Sequence, residues 1–112
     1  MLLNIQKSII GEVVAVKLVN GQEIITKLTG IEGTVYTLAR PYVLMLVRGE
    51  NGEPTVTFAP FSMGIDDNRD TVYEIDRSHM VFTPVAARAD AAKQYLQTTS
   101  GIEIVGAGGI QV

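Results

Sequence analysis

The stretch VVAVKLVNGQEIITKLTGIEG, residues 13–33, contains the clearest local signals in the chain. Val14, Val16 and Leu18 alternate with Ala15, Lys17 and Val19, the period of two that a half-buried β-strand requires. Asn20-Gly21 ends the run with a dipeptide suited to both positive-φ positions of a type I′ turn, which predicts a hairpin. The return strand, from about Gln22 to Ile31, is rich in β-branched residues: Ile24, Ile25, Thr26, Thr29 and Ile31. Gly30 and Gly33 interrupt it, and glycine in a strand marks a sharp bend or a close backbone approach.

Upstream, LNIQKSII (3–10) places Leu3, Gln6, Lys7 and Ile10 on one helical face, which predicts a short N-terminal helix ended by Gly11. Downstream, TVYTLARPYVLMLV (34–47) reads as a long third strand with a kink or an edge position at Pro41, since proline cannot donate to a ladder. RGENGEP (48–54) is a polar turn with a second Asn-Gly pair, and TVTFAPFSM (55–63) is the returning fourth strand, with Pro60 inside it. Prolines at near-matched hairpin positions predict that both strands break together. TVYEIDRSHMVFT (71–83) reads as one strand with a tight break near Arg77-Ser78, or as two short ones. Thr83-Pro84 then has the form of a helix N-cap and first helical residue, with AARADAAKQYLQ continuing and Gly101 closing the helix. The tail IEIVGAGGIQV alternates at Ile102 and Ile104 and then loses that order at GAGG, so it reads either as a short strand added to a neighbour or as a mobile segment. The expected architecture is mainly β: a strongly bent antiparallel sheet of about five strands with a helix at one or both ends. Its unpaired edges invite pairing with another subunit.

At 112 residues the chain is one domain, and a hydrophobic fraction of 46% is that of a packed globular protein. Nine basic against 12 acidic residues, a formal charge of −3, exclude nucleic-acid binding through a general basic surface and leave only a local site. The absence of cysteine excludes disulfides and thiolate metal sites. No apolar run approaches the roughly 20 residues that span a bilayer. MLLNIQKSIIGE lacks the form of a secretory signal, because Lys7 follows the first apolar residues. A cytoplasmic protein without membrane association is expected.

The search for chemistry yields little. Asp76, Ser78 and His79 adjoin, but on a regular strand Ser78 and His79 face opposite sides, so no nucleophilic site is expected. His79 is the sole histidine and cannot build an imidazole metal cluster. Asp66, Asp67 and Asp70 lack EF-hand spacing and a following bidentate glutamate, which favours a solvated loop. The glycines at 106, 108 and 109 do not join a strand to a helix as a phosphate-binding loop would. No catalytic activity, metal or cofactor is expected, and binding is the remaining route to function.

Gly11, Val14, Val16, Leu18, Asn20, Gly21, Glu23, Leu28, Gly30 and Glu32 resemble, in spacing, turn and order, the first motif of Sm-like proteins. YEIDRSHMVFTPV resembles that family's second motif more loosely, and the 39–71 segment between exceeds a minimal Sm domain. The resemblance implies a bent, five-stranded open barrel over residues 1–84, with extended third and fourth strands, followed by a C-terminal helix and glycine-containing tail over 85–112. It also implies a homo-oligomeric ring of five to seven subunits, in which an edge strand of one copy pairs with the next. Rings of this family bind single-stranded RNA at the pore. The extended strands and the tail are also similar to divergent Sm-like proteins encoded by tailed phages of marine bacteria, which would place the chain in a host cytoplasm.

Carried across residue by residue, the resemblance puts Thr34 at the usual base-stacking position and Tyr36 at the usual asparagine. Arg77 matches the basic residue of the second motif, and Ser78 its glycine or histidine partner. Threonine cannot stack on a base, whereas Tyr36 can do so if it faces the pocket rather than a packed interface. Arg77 either contacts RNA or pairs with Asp76 or Glu74. Asn20 and Gly21 are structural, as the turn demands. Two functions are therefore expected: single-stranded RNA binding, or a non-catalytic scaffold ring with little RNA affinity. The acidic balance and the missing asparagine favour the scaffold, while Arg40, Arg48 and Arg77 favour RNA.

Overall fold

A computed structural model describes residues 9–64 and 71–108, with helix side chains described as far as Ser100. Six strands form one antiparallel sheet: β1 (Val13–Leu18), β2 (Glu23–Glu32), β3 (Val35–Arg48), β4 (Pro54–Pro60), β5 (Val72–Asp76) and β6 (Met80–Ala86). A 3-10 turn, Arg77–His79, joins β5 to β6, and one helix, α1 (Ala89–Gly108), follows. The strand order is β4-β3-β2-β1-β6, with β5 also on β3. The sheet has six strands where about five were expected, and it is open rather than rolled into the open barrel that the resemblance implies. Most of the short helix expected over residues 3–10 lies outside the described residues, as does the Asp66-Asp67-Asp70 loop.

The sixth strand has a local cause. β3 is long enough to hold two partners on one side, with β5 along Val35–Ala39 and β4 along Tyr42–Arg48. The change of partner falls at Arg40-Pro41. Ile25 faces Tyr42 and Lys27 faces Ala39, so Thr26 alone opposes two residues, a β-bulge. Arg40 has φ 52°, and Pro60 lies opposite Tyr42, so both strands do break together beside their prolines. A second register shift, between Leu28 and Gly30, bends β2 again towards its end.

The Asn20-Gly21 turn differs from the expected type I′. Only Gly21 has positive φ, at 96°, while the Gly21 amide donates to the Leu18 carbonyl and the Leu18 amide to the Gln22 carbonyl. This is a three-residue loop, a type I turn completed by a left-handed glycine. Asn20 Oδ1 accepts from the Gln22 amide at 2.9 Å. The β3–β4 loop repeats the device: Gly52 has φ 82°, its amide donates to Gly49, and the Gly49 amide donates to Glu53.

Alternation sends residues to two cores. Val14, Val16, Leu18, Ile24, Leu28, Tyr36, Leu38 and Met80 fill the concave side of the bend. Ile25 and Tyr42 face the other way, where Tyr95 of α1 packs on them with Val13, Leu44, Phe58, Ala87 and Ala91 around. The rings of Tyr42 and Tyr95 meet edge to face, with centroids 6.0 Å apart. Here the helix start departs from expectation. Thr83-Pro84 belongs to β6, where the register against β1 shifts between Ala15 and Lys17; proline suits such an irregular edge position. The helix begins at Ala89 and continues past Gly101 to Gly108, so the tail, read as an added strand or a mobile segment, is helical through that point.

Candidate functional site

Three of the four expected site residues come together at one corner. β2 and β3 join through a two-residue loop whose first member, Gly33, has φ 63°, the conformation that favours glycine there. Its second member, Thr34, is exposed and turns towards the end of β5. The Thr34 hydroxyl donates to Asp76 Oδ1 at 2.7 Å, and the Arg77 amide donates to the Thr34 carbonyl at 2.7 Å. The Ser78 amide donates to Asp76 Oδ2 at 2.8 Å, so Asp76 caps the 3-10 turn. These bonds fasten the two motif regions, 42 positions apart in sequence, to each other.

Donation by the Thr34 hydroxyl, then by the Ser78 amide and hydroxyl, holds the Asp76 carboxyl down to about 2, with His79 adding a smaller attraction. Asp76 therefore stays ionised through the whole physiological range. Its oxygens orient the turn, which is a different task from steering an imidazole. Arg77, Ser78 and His79 are exposed, and the His79 carbonyl accepts from the Val19 amide at 2.9 Å.

Tyr36 stands apart. It is 2% exposed, sits opposite Ile75 and belongs to the concave core. No face of its ring is open to a nucleobase, which corrects the stacking role the resemblance offered it. The reason is parity. Tyr36 and Leu38 share the inward side of β3, and Thr34 lies in the turn before that strand begins.

Two features were legible in the sequence only in outline: unpaired edges and a kink at Pro41 were expected, but not which side chains line the edges or what holds the kink. The first is the outer boundary of the sheet. Among the described residues, β6 pairs only with β1, and β4 and β5 pair only with β3, which leaves two open edges. Both carry apolar side chains: Val56 and Val72 on one, Val81, Phe82 and Val85 on the other, all 43–62% exposed. The β3–β4 hairpin also projects past Glu23, the last β2 residue to pair with β3, and its facing pair Leu46 and Val56 is 72% and 51% exposed. A groove of about 410 Å³ runs from this pair beneath the start of α1, over Ile25, Leu44 and Phe58. The exposed Leu, Val and Phe positions were visible as residue types, but their side depended on a register that the bulges shift.

The second feature is the kink at Arg40-Pro41 and the clamp on it. The Tyr95 hydroxyl lies 2.8 Å from the Ala39 carbonyl and 3.1 Å from that of Arg40, and the Thr26 hydroxyl donates to Ala39 at 2.8 Å. Arg40 Nη1 reaches the Thr99 carbonyl at 3.5 Å. The mid-strand proline was the signal for the kink; its partner on a distant helix had none.

No helix among the described residues is long and apolar enough to cross a membrane. The sequence matches no protein-family model and no curated protein, which leaves these residues as the guide to function.

Proposed function

We propose that this chain is a self-assembling unit of a closed, non-catalytic Sm-like ring, and that it acts as a scaffold. The observation that carries the reading is the pair of open sheet edges lined with exposed apolar side chains. An edge strand with unpaired backbone groups is a template for another strand, and soluble monomers usually blunt such edges with charge. Here the β6 edge shows Val81, Phe82 and Val85 instead. Joining unlike edges, β4 and β5 of one copy to β6 of the next, is a heterologous contact that closes into a ring when the rotation permits. The bend of the antiparallel sheet and its open edges accord with the Sm-like resemblance, from which five to seven subunits is the expected number.

Light scattering across micromolar concentrations tests it. A closed oligomer of fixed size is expected, and Val81→Lys with Val56→Lys should dissociate it while leaving each copy folded. A monomer at micromolar concentration would reject the ring.

A second reading, single-stranded RNA binding, draws on the corner where Arg77 is exposed beside Thr34 and Ser78. Burial of Tyr36 and the ionised Asp76 weigh against it, which is why the scaffold stands first. Titrating oligo-U, oligo-A and mixed strands at low and moderate salt, wild type against Arg77→Ala, separates the two. No affinity tighter than roughly 10⁻⁴ M, the level of non-specific association, would exclude RNA.

A further inference from the structure

We infer that Asn51, at the tip of the β3–β4 hairpin, is a site of spontaneous covalent modification, in which its side-chain amide becomes an aspartyl or isoaspartyl carboxylate. Asparagine followed by glycine is the pair open to this reaction, because the glycine nitrogen reaches the side-chain carbonyl with no side chain of its own in the way. The chain holds two such pairs, Asn20-Gly21 and Asn51-Gly52.

The two pairs form a matched comparison within one molecule. They occupy equivalent places in the loops 18–22 and 49–53. In both, the glycine is left-handed, at φ 96° and 82°, and its amide donates to the carbonyl three residues back. Both asparagines are exposed. Backbone geometry and exposure therefore do not separate them, and what holds each asparagine does. Asn20 Oδ1 accepts from the Gln22 amide at 2.9 Å, and Asn20 Nδ2 donates to Gln22 Oε1 at 2.9 Å. Its amide plane is pinned at both ends, and the Val19 amide fastens the same loop to the His79 carbonyl. Among the described residues, the Asn51 side chain has no hydrogen-bond partner. Its loop caps a hairpin that projects past the last β2 residue paired with β3. Arg48 Nη1 donates to the Gly52 carbonyl at 3.0 Å, which puts a positive charge beside the amide that must release its proton.

The step needs water and neither an oxidant nor a reductant. The Gly52 nitrogen gives up its proton and attacks Asn51 Cγ. A C–N bond forms, the Cγ–Nδ2 bond breaks, and the leaving nitrogen takes up a proton in exchange and departs as ammonia. The succinimide ring left behind is opened by water at either carbonyl. One opening gives aspartate, and the other gives isoaspartate, whose extra methylene lies in the main chain. Either product sets a new carboxylate between Glu50 and Glu53. The Gly52 amide must first leave its bond to the Gly49 carbonyl, so the reaction runs through local opening of the tip.

Incubating the full chain in mildly alkaline buffer at physiological temperature tests the site, with peptide mapping over days that resolves asparagine, aspartate and isoaspartate. In the folded protein Asn51 should convert first, and Asn20 about tenfold more slowly, the weight of two modest hydrogen bonds. In guanidinium chloride, where neither loop exists, the two pairs should convert at similar rates. Gln22→Ala removes the Oε1 acceptor and should speed Asn20 about threefold while leaving Asn51 unchanged. The inference is overturned if Asn20 converts as fast as Asn51 in the folded protein, or if Asn51 persists there while the unfolded chain converts. A Gln22→Ala protein whose Asn20 stays as slow as in wild type would overturn the pinning that separates the two.

Discussion

Tyr95→Phe tests whether helix α1 holds the β3 kink through its hydroxyl. The ring of Tyr95 is 2% exposed and packs edge-on against Tyr42, and phenylalanine keeps that contact. The hydroxyl proton serves the Ala39 and Arg40 carbonyls at 2.8 and 3.1 Å, and its loss removes one donor from a buried place. Ala39 still accepts from the Thr26 hydroxyl at 2.8 Å, so the single substitution should cost about 1–2 kcal/mol, the lower part of the range for a buried group deprived of its partner. For a chain of 112 residues that is a fall of about 4–8 °C in Tm. Thr26→Val removes the other donor and should cost a similar amount. In the double variant the Ala39 carbonyl loses both hydroxyls, so the loss should exceed the sum of the singles by about 0.5–1 kcal/mol. Urea denaturation at fixed protein concentration, with unchanged m-values, measures all three against wild type. A Tyr95→Phe cost below about 0.5 kcal/mol with strict additivity would refute the clamp.

Lowering pH tests the Thr34 corner. The Asp76 carboxyl is held at about 2 against an ordinary 3.8, so its stabilising contribution is complete above 3.8 and is lost as pH falls from there towards 2. Acid titration of Asp76→Asn followed by circular dichroism should lose that part of the acid sensitivity, and an unchanged profile would show that Asp76 does not hold the corner. Gly21→Ala forces a side chain into φ 96° and should cost about 1 kcal/mol by denaturant titration, whereas Gly30→Ala, with its nearest side-chain atom 3.7 Å away and ordinary φ, should cost less. Leu28→Ala empties a fully buried position of the concave core and should cost about 2–5 kcal/mol, measured the same way. Leu46→Glu, at 72% exposure on the projecting hairpin, should leave the stability of an isolated copy within about 0.5 kcal/mol while loosening assembly, read by sedimentation.

Elements with strong local signals were legible in the sequence. The alternation from Val14 to Leu18 placed β1 and its inward face, and the two Asn-Gly pairs placed two hairpins, although each loop proved one residue longer than a type I′ turn. Pro41 and Pro60 marked the shared break. What the sequence did not disclose depends on distant partners. The partner change along β3 needed a bulge register that no periodicity records, so β4 and β5 were not separated as two strands on one neighbour. Thr83-Pro84 fits a helix start locally and a β6 irregularity in context, and pairing with β1 is what chose the latter. At the candidate site, Thr34, Arg77 and Ser78, which the resemblance aligns, lie together in the fold, whereas Tyr36, read either as a stacking platform or as packed at an interface, is buried by the parity of its strand. Asp76, which binds Thr34 and the Ser78 amide, was weighed as a partner for Arg77 and in a Ser-His-Asp arrangement, but not as the cap of the turn.

The kink in β3 has a consequence at a larger scale than the subunit. It lies between the parts of β3 that carry β5 and β4, and therefore helps set the angle between the two segments of the open edge they form. In the proposed ring, where β4 and β5 of one copy meet β6 of the next, that angle would contribute to the turn from each copy to the next, and so to the number of copies that complete a circle. Thr26 and Tyr95, which hold the kink through the Ala39 carbonyl, would then act as a protractor. A small relaxation of the kink in their variants would be multiplied around the circle and would appear as a different subunit count rather than as a weaker contact.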